Sequence, residues 1–590
     1  MGDGFALPTQ YWDTNYQYGG SLSWTKGAHT IKIGSTLLRR DWSSFQVLFK
    51  GNFNMNSAQT GNAFASLLTG YYASATRNMA LVAPQWRSWE IGEYIQDSWR
   101  VSRRLTLNLG LRYDVFTPKK EKHNALANFD PTDPATLASG MIQVAGINGV
   151  SDTVNIDTQW ADLQPRLGFA ATLWRGAVLR GGFGTSYWPN NVASPANLKN
   201  APFVATYTIN QPTTAAFRIS DPVPVPVPNS TCLVAACGAS PSSPGYGPSG
   251  FSVNAATQLP YRNSLVYMTN LTLEKEFAGN VLSVGFVGEP VRNLGRVVPN
   301  IATNVPPQGP GGCGATSTPT LGSPCLPFAK TLPLVGTIQL LETNGVSNYN
   351  ALQVNFQRRY KTGLTFAVNY TYSSSLSDVG GPGGACVGCA QVLNDFGRDY
   401  GPSDFMVKHR FNVAANYELP FGKSLHGVTG QIVKGWQVNG IYSRGTGQPF
   451  TVLDGAAQQG SFGVTQDRPN RIQGQGFTQD NGEWFDVTQF QKQPFGTEGN
   501  EGHNVLNIPR NVRVDLSVFK DFVIRESVKL QFRAEGFNIT NTPVFGMPVN
   551  TIASFDANGI ATRAGNFGAI TTTNAFYTPR DIQFALKLIF

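Results

Sequence analysis

The stretch Leu105-Thr-Leu-Asn-Leu-Gly-Leu-Arg-Tyr-Asp-Val115 decides how this chain folds: every odd position is apolar and every even one is polar or glycine. Side chains on a strand alternate between its two faces, so this segment predicts a strand with one greasy face and one wet face. The same alternation recurs in Leu364-Thr-Phe-Ala-Val-Asn-Tyr-Thr-Tyr372, Phe411-Asn-Val-Ala-Ala-Asn-Tyr-Glu-Leu419, Val528-Lys-Leu-Gln-Phe-Arg-Ala534 and Ile582-Gln-Phe-Ala-Leu-Lys-Leu-Ile-Phe590. Working outward gives fifteen clear strands, near 16–25, 28–39, 89–101, 103–116, 165–174, 177–188, 262–276, 280–289, 347–360, 363–374, 404–419, 434–446, 509–523, 526–538 and 578–590. Many exceed the roughly 5 or 6 residues usual in soluble sheets. They match the roughly 9 to 11 that a tilted strand needs to cross a bilayer.

The connections carry as much information as the strands. Short ones at Lys26-Gly27, Ser102, Arg175-Gly176, Ala278-Gly279, Lys361-Thr362 and Ile524-Arg525 alternate with long ones near 40–88, 117–164, 189–261, 290–346, 375–403, 447–508 and 539–577. A sheet with every long loop at one end is the pattern of a transmembrane barrel, whose short turns face the periplasm and whose long loops face outside. Trp24, Trp99, Trp174, Phe277, Tyr360 and Phe522 all fall just before a short turn, as one interfacial aromatic girdle requires.

The composition agrees. Charged residues are 14% and aromatics 12%, with 63 Gly and 37 Pro, which suits many strands joined by irregular loops rather than a disordered or helical chain. No run of 18 apolar residues is present, so no membrane-spanning helix is expected. The net charge of +9 is scattered singly along the strands. Its densest cluster, Lys119, Lys120, Lys122 and His123 around Glu121, reads as a solvated loop rather than a phosphate-binding patch, so no nucleic-acid partner is expected.

The polar faces carry Arg112, Asp114, Glu274, Arg410, Glu418, Arg513, Asp515, Lys529, Arg533, Glu535 and Lys587. Crowded inside a small barrel these charges would be unsatisfied, so a wide lumen holding water or a plug is expected around them. The fold class is therefore all-β: a large antiparallel transmembrane β-barrel with long loops on one side, a single domain over residues 1–590. Fifteen is an odd number, whereas single-chain bacterial barrels are even, so at least 16 strands are expected. Candidates for the remainder are residues 4–14, Phe45–Asn54, Thr69–Val82, Phe203–Ile219 and Phe545–Ser554.

Six cysteines form three local pairs in Gly/Pro/Ser-rich sequence: Cys232 with Cys237, Cys313 with Cys325, and Cys386 with Cys389. Local disulfides in an oxidising compartment are the first reading. The CxxC at 386–389 would suit half of a zinc site, but no second CxxC or His pair accompanies it, so no metal or other cofactor is expected. Enzymatic signals are absent as well. His29, His123, His409, His426 and His503 are dispersed without an HExxH, no GxSxG occurs, and Gly422-Lys-Ser424 has Tyr417 where a phosphate loop needs glycine.

Several stretches resemble the barrel of Oar-like TonB-dependent transporters. They are Gln96-Asp-Ser-Trp-Arg-Val-Ser-Arg-Arg-Leu-Thr-Leu-Asn-Leu-Gly-Leu-Arg-Tyr-Asp114, Lys408-His-Arg-Phe through Tyr417-Glu-Leu-Pro-Phe-Gly422, Gly435-Trp-Gln-Val-Asn-Gly-Ile441 and Gly447-Gln-Pro-Phe-Thr-Val452. Phe532-Arg-Ala-Glu-Gly-Phe-Asn-Ile-Thr-Asn541, Asn566-Phe-Gly568 and Pro579-Arg-Asp-Ile-Gln-Phe-Ala-Leu-Lys-Leu-Ile-Phe590 follow in the same order, so the resemblance spans nearly the whole chain. It implies a barrel of about 22 strands in the outer membrane, closed by a plug, with uptake driven by the inner-membrane TonB complex. It further implies that Phe590, closing an alternating strand, is the signal read by the barrel assembly machinery. The family's signal peptide, small regulatory-like β-domain, TonB box and plug have no counterpart here, so the expectation is a barrel portion that reaches TonB through a region upstream of this sequence. The alternatives are a passive outer-membrane pore and a structural or adhesive barrel without active transport.

Overall fold

The computed structural model describes residues 9–590 except 47–51, 81–82, 140–141, 175, 191–196, 201–202, 211–217, 222–250, 299–325, 327, 329–334, 362, 380–390, 392–394, 423, 456–466, 473–482, 495, 526 and 576. Among the described residues fifteen long strands form the wall. They are β1 (Thr9–Lys26), β2 (His29–Gln46), β3 (Trp86–Arg100), β4 (Leu105–Phe116), β5 (Leu163–Thr172), β6 (Ala177–Trp188), β7 (Ser264–Phe277) and β8 (Asn280–Val298). β9 (Val335–Lys361), β10 (Leu364–Ser377), β11 (His409–Glu418), β12 (Trp436–Gly445), β13 (Asn511–Arg525), β14 (Val528–Phe537) and β15 (Asp581–Ile589) complete it. Each pairs antiparallel with the next in chain order, from β1–β2 through to β14–β15. With three shorter strands, Lys120–Glu121, Phe251–Thr257 and Gly401–Pro402, the sheet holds 18 strands. Among the described residues no ladder joins β15 to β1. Both lie at the sheet's edges, exposed along β15 and along β1 from Tyr11.

The register shows why the alternation matters. Leu22, Ile33, Ile95 and Leu111 are successive cross-strand partners on β1 to β4, and they are 70%, 50%, 48% and 45% exposed. Side chains this apolar and this open form a face suited to lipid. The other parity carries the polar residues, such as Thr36, Gly92 and Asp114 in one cross-strand row.

Short and long connections alternate all round the wall. At the tightest, Ala278 and Gly279 both have positive φ (50° and 80°), the backbone of a turn whose twist matches the flanking strands. The connection from β11 to β12 is longer than a tight turn and contains a helix, Gly427–Val433. Its Val428 and Ile432 are 78% and 59% exposed beside Phe421 at 60%, an apolar surface at the short-turn rim. In the girdle Trp24 and Trp174 stand out from the wall, whereas Trp99 is half-buried, stacked on His29 at 5.3 Å between ring centres. Tyr360's side chain lies outside the described residues.

The described parts of the long connections include two packed cores. Phe450, Phe485, Phe490 and Phe567 meet edge-on or tilted at 5.4–6.0 Å, joining the β12–β13 connection to the β14–β15 connection. A second core gathers Phe129, Val144, Phe203, Val298, Ile338 and Leu340 from the β4–β5 and β6–β7 connections and the extended β8–β9 ribbon. That ribbon corrects the expected boundaries: β8 runs on to Val298 and β9 begins at Val335, because the pair continues beyond the band of alternation. Of the candidate extra strands, the described part of residues 4–14 is the start of β1 rather than a strand before it, and others are present in part but outside the wall. Asn52–Asn54, Ser74–Ala80 and Val204–Asn210 form a small sheet of their own, and Thr551–Ile552 pairs with Leu453–Asp454.

The disulfides expected between Cys232 and Cys237, between Cys313 and Cys325, and between Cys386 and Cys389 are not borne on by the structure. Cys232, Cys237, Cys313, Cys325, Cys386 and Cys389 all lie outside the described residues, so the three bridges stay expectations of the sequence.

Between the β10–β11 and β12–β13 connections, the buried Arg468 donates to Asp399 at 3.0 Å and to Gln391 at 2.7 Å. Burial pushes the Asp399 carboxyl up to about 6 and Glu501 up to about 7, while it pushes His503 down to about 4. This ionic knot ties the described parts of the two connections to each other.

Candidate functional site at the outer mouth

The polar face of β1 to β6 and the loops above it line a cavity of about 770 Å3. β2 contributes Arg40, whose guanidinium donates to Glu90 on β3 at 2.5 Å. β4 contributes an Arg-x-Asp pair on one strand face: Arg112 donates to Asp114 at 2.7 and 2.8 Å, and Gln164 on β5 also donates to that carboxylate. Gly92, opposite on β3, leaves the room for this pair, since a Cβ there would run into the Arg112 guanidinium and the Asp114 carboxylate. Arg166 lines the same space with no ion pair to it among the described residues.

Above these strands the β4–β5 and β6–β7 connections bring two lysines to one tryptophan. Lys119 and Lys199 lie 5.8 and 5.5 Å from the ring centre of Trp86, which packs among Leu126, Val154, Leu198 and Tyr261. Burial pushes the Lys119 amine down to about 7, helped by the charge of Lys199, itself lowered by burial. The indole Nε1–H of Trp86 is buried with no hydrogen-bond partner among the described residues. Two crowded ammonium groups, an open guanidinium and an orphaned donor make this mouth complementary to an anion, because an anionic group would restore the charge of Lys119.

The structure distributes the charges singled out in the sequence over several places. Arg112 and Asp114 share this cavity. Glu274 faces Arg180 on β6 at 3.9 Å. Arg513 and Asp515 form a second Arg-x-Asp pair at 3.0 Å, with Arg513 lining a separate space together with Arg410. Arg533 donates to Gln531 at 2.6 Å and lies 4.8 Å over Phe519. Glu535 accepts from Gln583 on β15 at 2.9 Å, and Lys587 is the cross-strand partner of Gln531. Lys529 pairs with Ile589 at the short-turn end, and Glu418 closes β11 there too. Phe590 is almost fully exposed.

One expectation is corrected. Lys120, Lys122 and His123 are exposed, as a solvated loop requires, but Lys119 is 6% exposed and lines the cavity, and Glu121 is buried. The Glu121 carboxylate accepts from the backbone N–H groups of Gln85, His123 and Ala125, which folds the loop back and turns Lys119 inward. Arg40, Arg166 and Lys199 were not singled out in the sequence. Arg40 falls in Leu37-Leu-Arg-Arg-Asp-Trp42, where the alternation has broken down and two arginines stand side by side, and Lys199 stands alone in irregular sequence with no local signal.

A family model described as an outer membrane beta barrel domain matches residues 1–583. No curated protein sequence matches the chain. Among solved structures, the outer membrane transporter YddB from Escherichia coli is similar at 9% identity and a TM-score of 0.46, over 98% of this chain and 54% of that one. The copper transporter OprC is similar at 10% identity and 0.44, over 98% and 56%. The ferric citrate transporter FecA in its unliganded form is similar at 10% and 0.42, over 98% and 55%. The chain thus spans about half the length of the solved structures it matches.

Proposed function

The chain belongs to the outer membrane β-barrel family, resident in the cell outer membrane, and from that premise we propose that it is the barrel portion of a TonB-dependent transporter. In this reading residues 1–583 and the final strand are one barrel domain, the polar face lines the lumen, and the cargo is large and carries an anionic group. The TonB complex engages a region N-terminal to this sequence, and the barrel assembly machinery reads the strand ending in Phe590. The observation that carries the reading is the outer-mouth cavity: Lys119, Lys199 and Arg166 converge where a cargo first meets the lumen. A general diffusion pore has no need of a buried, partly neutralised lysine at its entrance. Two of the charge sets on the polar face, Arg112 with Asp114 and Arg513 with Asp515, are Arg-x-Asp pairs that neutralise themselves, which keeps a wide polar surface solvated without a large net field there.

Planar-bilayer conductance and in vivo cross-linking test the proposal on protein extracted from outer membranes. A gated transporter gives no steady conductance and cross-links to TonB near its N-terminus. Steady conductance from the native protein, with no TonB adduct, would establish a passive pore instead.

A further inference from the structure

A second cavity, of about 370 Å3, opens on the other face of the wall. Its lining includes Trp12 on β1, Arg39, Asp41 and Ser43 on β2, Arg87 on β3, and Lys122. Thr14, Asp41 and Arg87 form one cross-strand row, and Tyr16, Arg39 and Trp89 the next. Both rows share the parity of Leu22, Ile33 and Ile95, so they belong to the apolar, lipid-side face. Arg39 stands ten residues above the β1–β2 turn. At about 3.3 Å per residue and a tilt of about 40°, that is a height of about 25 Å, the upper edge of a barrel's apolar band. Tyr16, Tyr18 and Trp89 stand 46%, 63% and 38% exposed around it, an aromatic belt at the same level.

The charge at this level is one-sided. Arg39 is neutralised by Asp41, which it meets twice at 2.9 Å, and its guanidinium lies 5.9 Å over Tyr16 and 5.6 Å over Trp89. Arg87 and Lys122 have no ion pair among the described residues, and the backbone N–H of Lys122 is anchored on Gln85 at 2.9 Å. Three cations against one carboxylate leave the cavity at +2. Ser43, 6% exposed, adds a buried hydroxyl with no hydrogen-bond partner among the described residues.

We infer that this cavity holds a phosphate group of an outer-leaflet glycolipid, with Arg87 and Lys122 as its cationic ligands and Ser43 as a hydroxyl donor. Two free cations on a lipid-side surface at headgroup height fit an anion already fixed in the membrane plane, because a phosphate there accepts several charge-assisted hydrogen bonds at once. The acyl chains then run down over Leu22 and Ile33. The inference is independent of transport.

Native mass spectrometry of the chain extracted from outer membranes in mild detergent tests it. The probes are bis-phosphorylated lipid A, its dephosphorylated form and inorganic phosphate. The expected result is a lipid A adduct that the dephosphorylated lipid does not give and that the R87Q/K122Q double variant weakens on the order of 30-fold. The heat-modifiable gel migration of the variant reports that it is folded, and R87K/K122R restores binding. Equal binding of the phosphorylated and dephosphorylated lipids, or unchanged binding by the folded double variant, would overturn the site. Capture of inorganic phosphate as tight as that of lipid A would overturn the lipid assignment.

Discussion

Leu271→Arg tests which face of the wall meets lipid. Leu271 is 47% exposed on β7, paired with Gly181 on β6 and Phe286 on β8. Its same-face neighbours Leu179, Phe183, Leu273 and Val284 are all apolar, so no carboxylate is placed to rescue an introduced guanidinium. It stands six residues above Phe277 at the short turn. Six residues at about 3.3 Å and a tilt of about 40° give about 15 Å, close to the middle of an apolar band about 25 Å tall. An arginine there costs about 2–4 kcal/mol, roughly 30- to 700-fold in the folding equilibrium. Asn270→Arg, one residue away on the polar face, is expected to cost under about 1 kcal/mol, since its guanidinium stays in water. Guanidinium unfolding in phosphatidylcholine vesicles, read by heat-modifiable migration, measures both. A larger loss for Asn270→Arg, or equal losses, would refute the assignment of faces.

Other outcomes follow from the packing and the titratable groups. Lys119→Met is expected to flatten the alkaline limb of stability: burial lowers the amine from its ordinary 10.5 to about 7, so wild-type stability is full above 10.5 and is lost progressively as pH falls from there to 7. Melting temperatures from pH 7 to 10 would show a rising wild type and a level variant, and parallel curves would count against a buried amine. Glu501 behaves oppositely, since its raised carboxyl stabilises below 4.5 and loses that contribution as pH rises through about 7. Glu501→Gln is therefore expected to slow proteolysis of the β12–β13 connection at pH 8 and to change little at pH 4, and faster cleavage at pH 8 would contradict this. Phe485→Ala removes the ring at the centre of the loop core and should cost about 3–5 kcal/mol of local stability. Hydrogen exchange would show it in residues 446–510 and not in β13, and protection unchanged in the loop would sink the packing argument.

The wall was legible because its determinant is local. Whether Leu105 to Val115 is a strand depends on neighbours two residues apart, and the seven alternations of long and short connections follow from chain length alone. What stands above the wall was not. Phe450, Phe485, Phe490 and Phe567 lie in segments without any period, and only contacts between separate connections, such as Phe485 with Phe567, make them a core. The β8–β9 ribbon escaped because Pro290 and several glycines interrupt its pattern, although Pro290 still pairs opposite Asn348. The outer-mouth site was half visible: parity marks Arg112 and Asp114, but Lys119 depends on Glu121 capturing three backbone N–H groups, a tertiary event.

The two bare edges have a polarity. β1 descends toward its turn at Gly27, and each antiparallel step reverses the direction, so β15 descends as well. Brought together directly, they would make a single parallel seam in an otherwise antiparallel wall. An ascending strand hydrogen-bonded to both would instead satisfy every backbone group along the gap, which a lipid environment demands. Antiparallel closure thus admits one, three, five or seven intervening strands and forbids two, four or six. Seven added to the fifteen of the wall makes 22, the number that the resemblance implies.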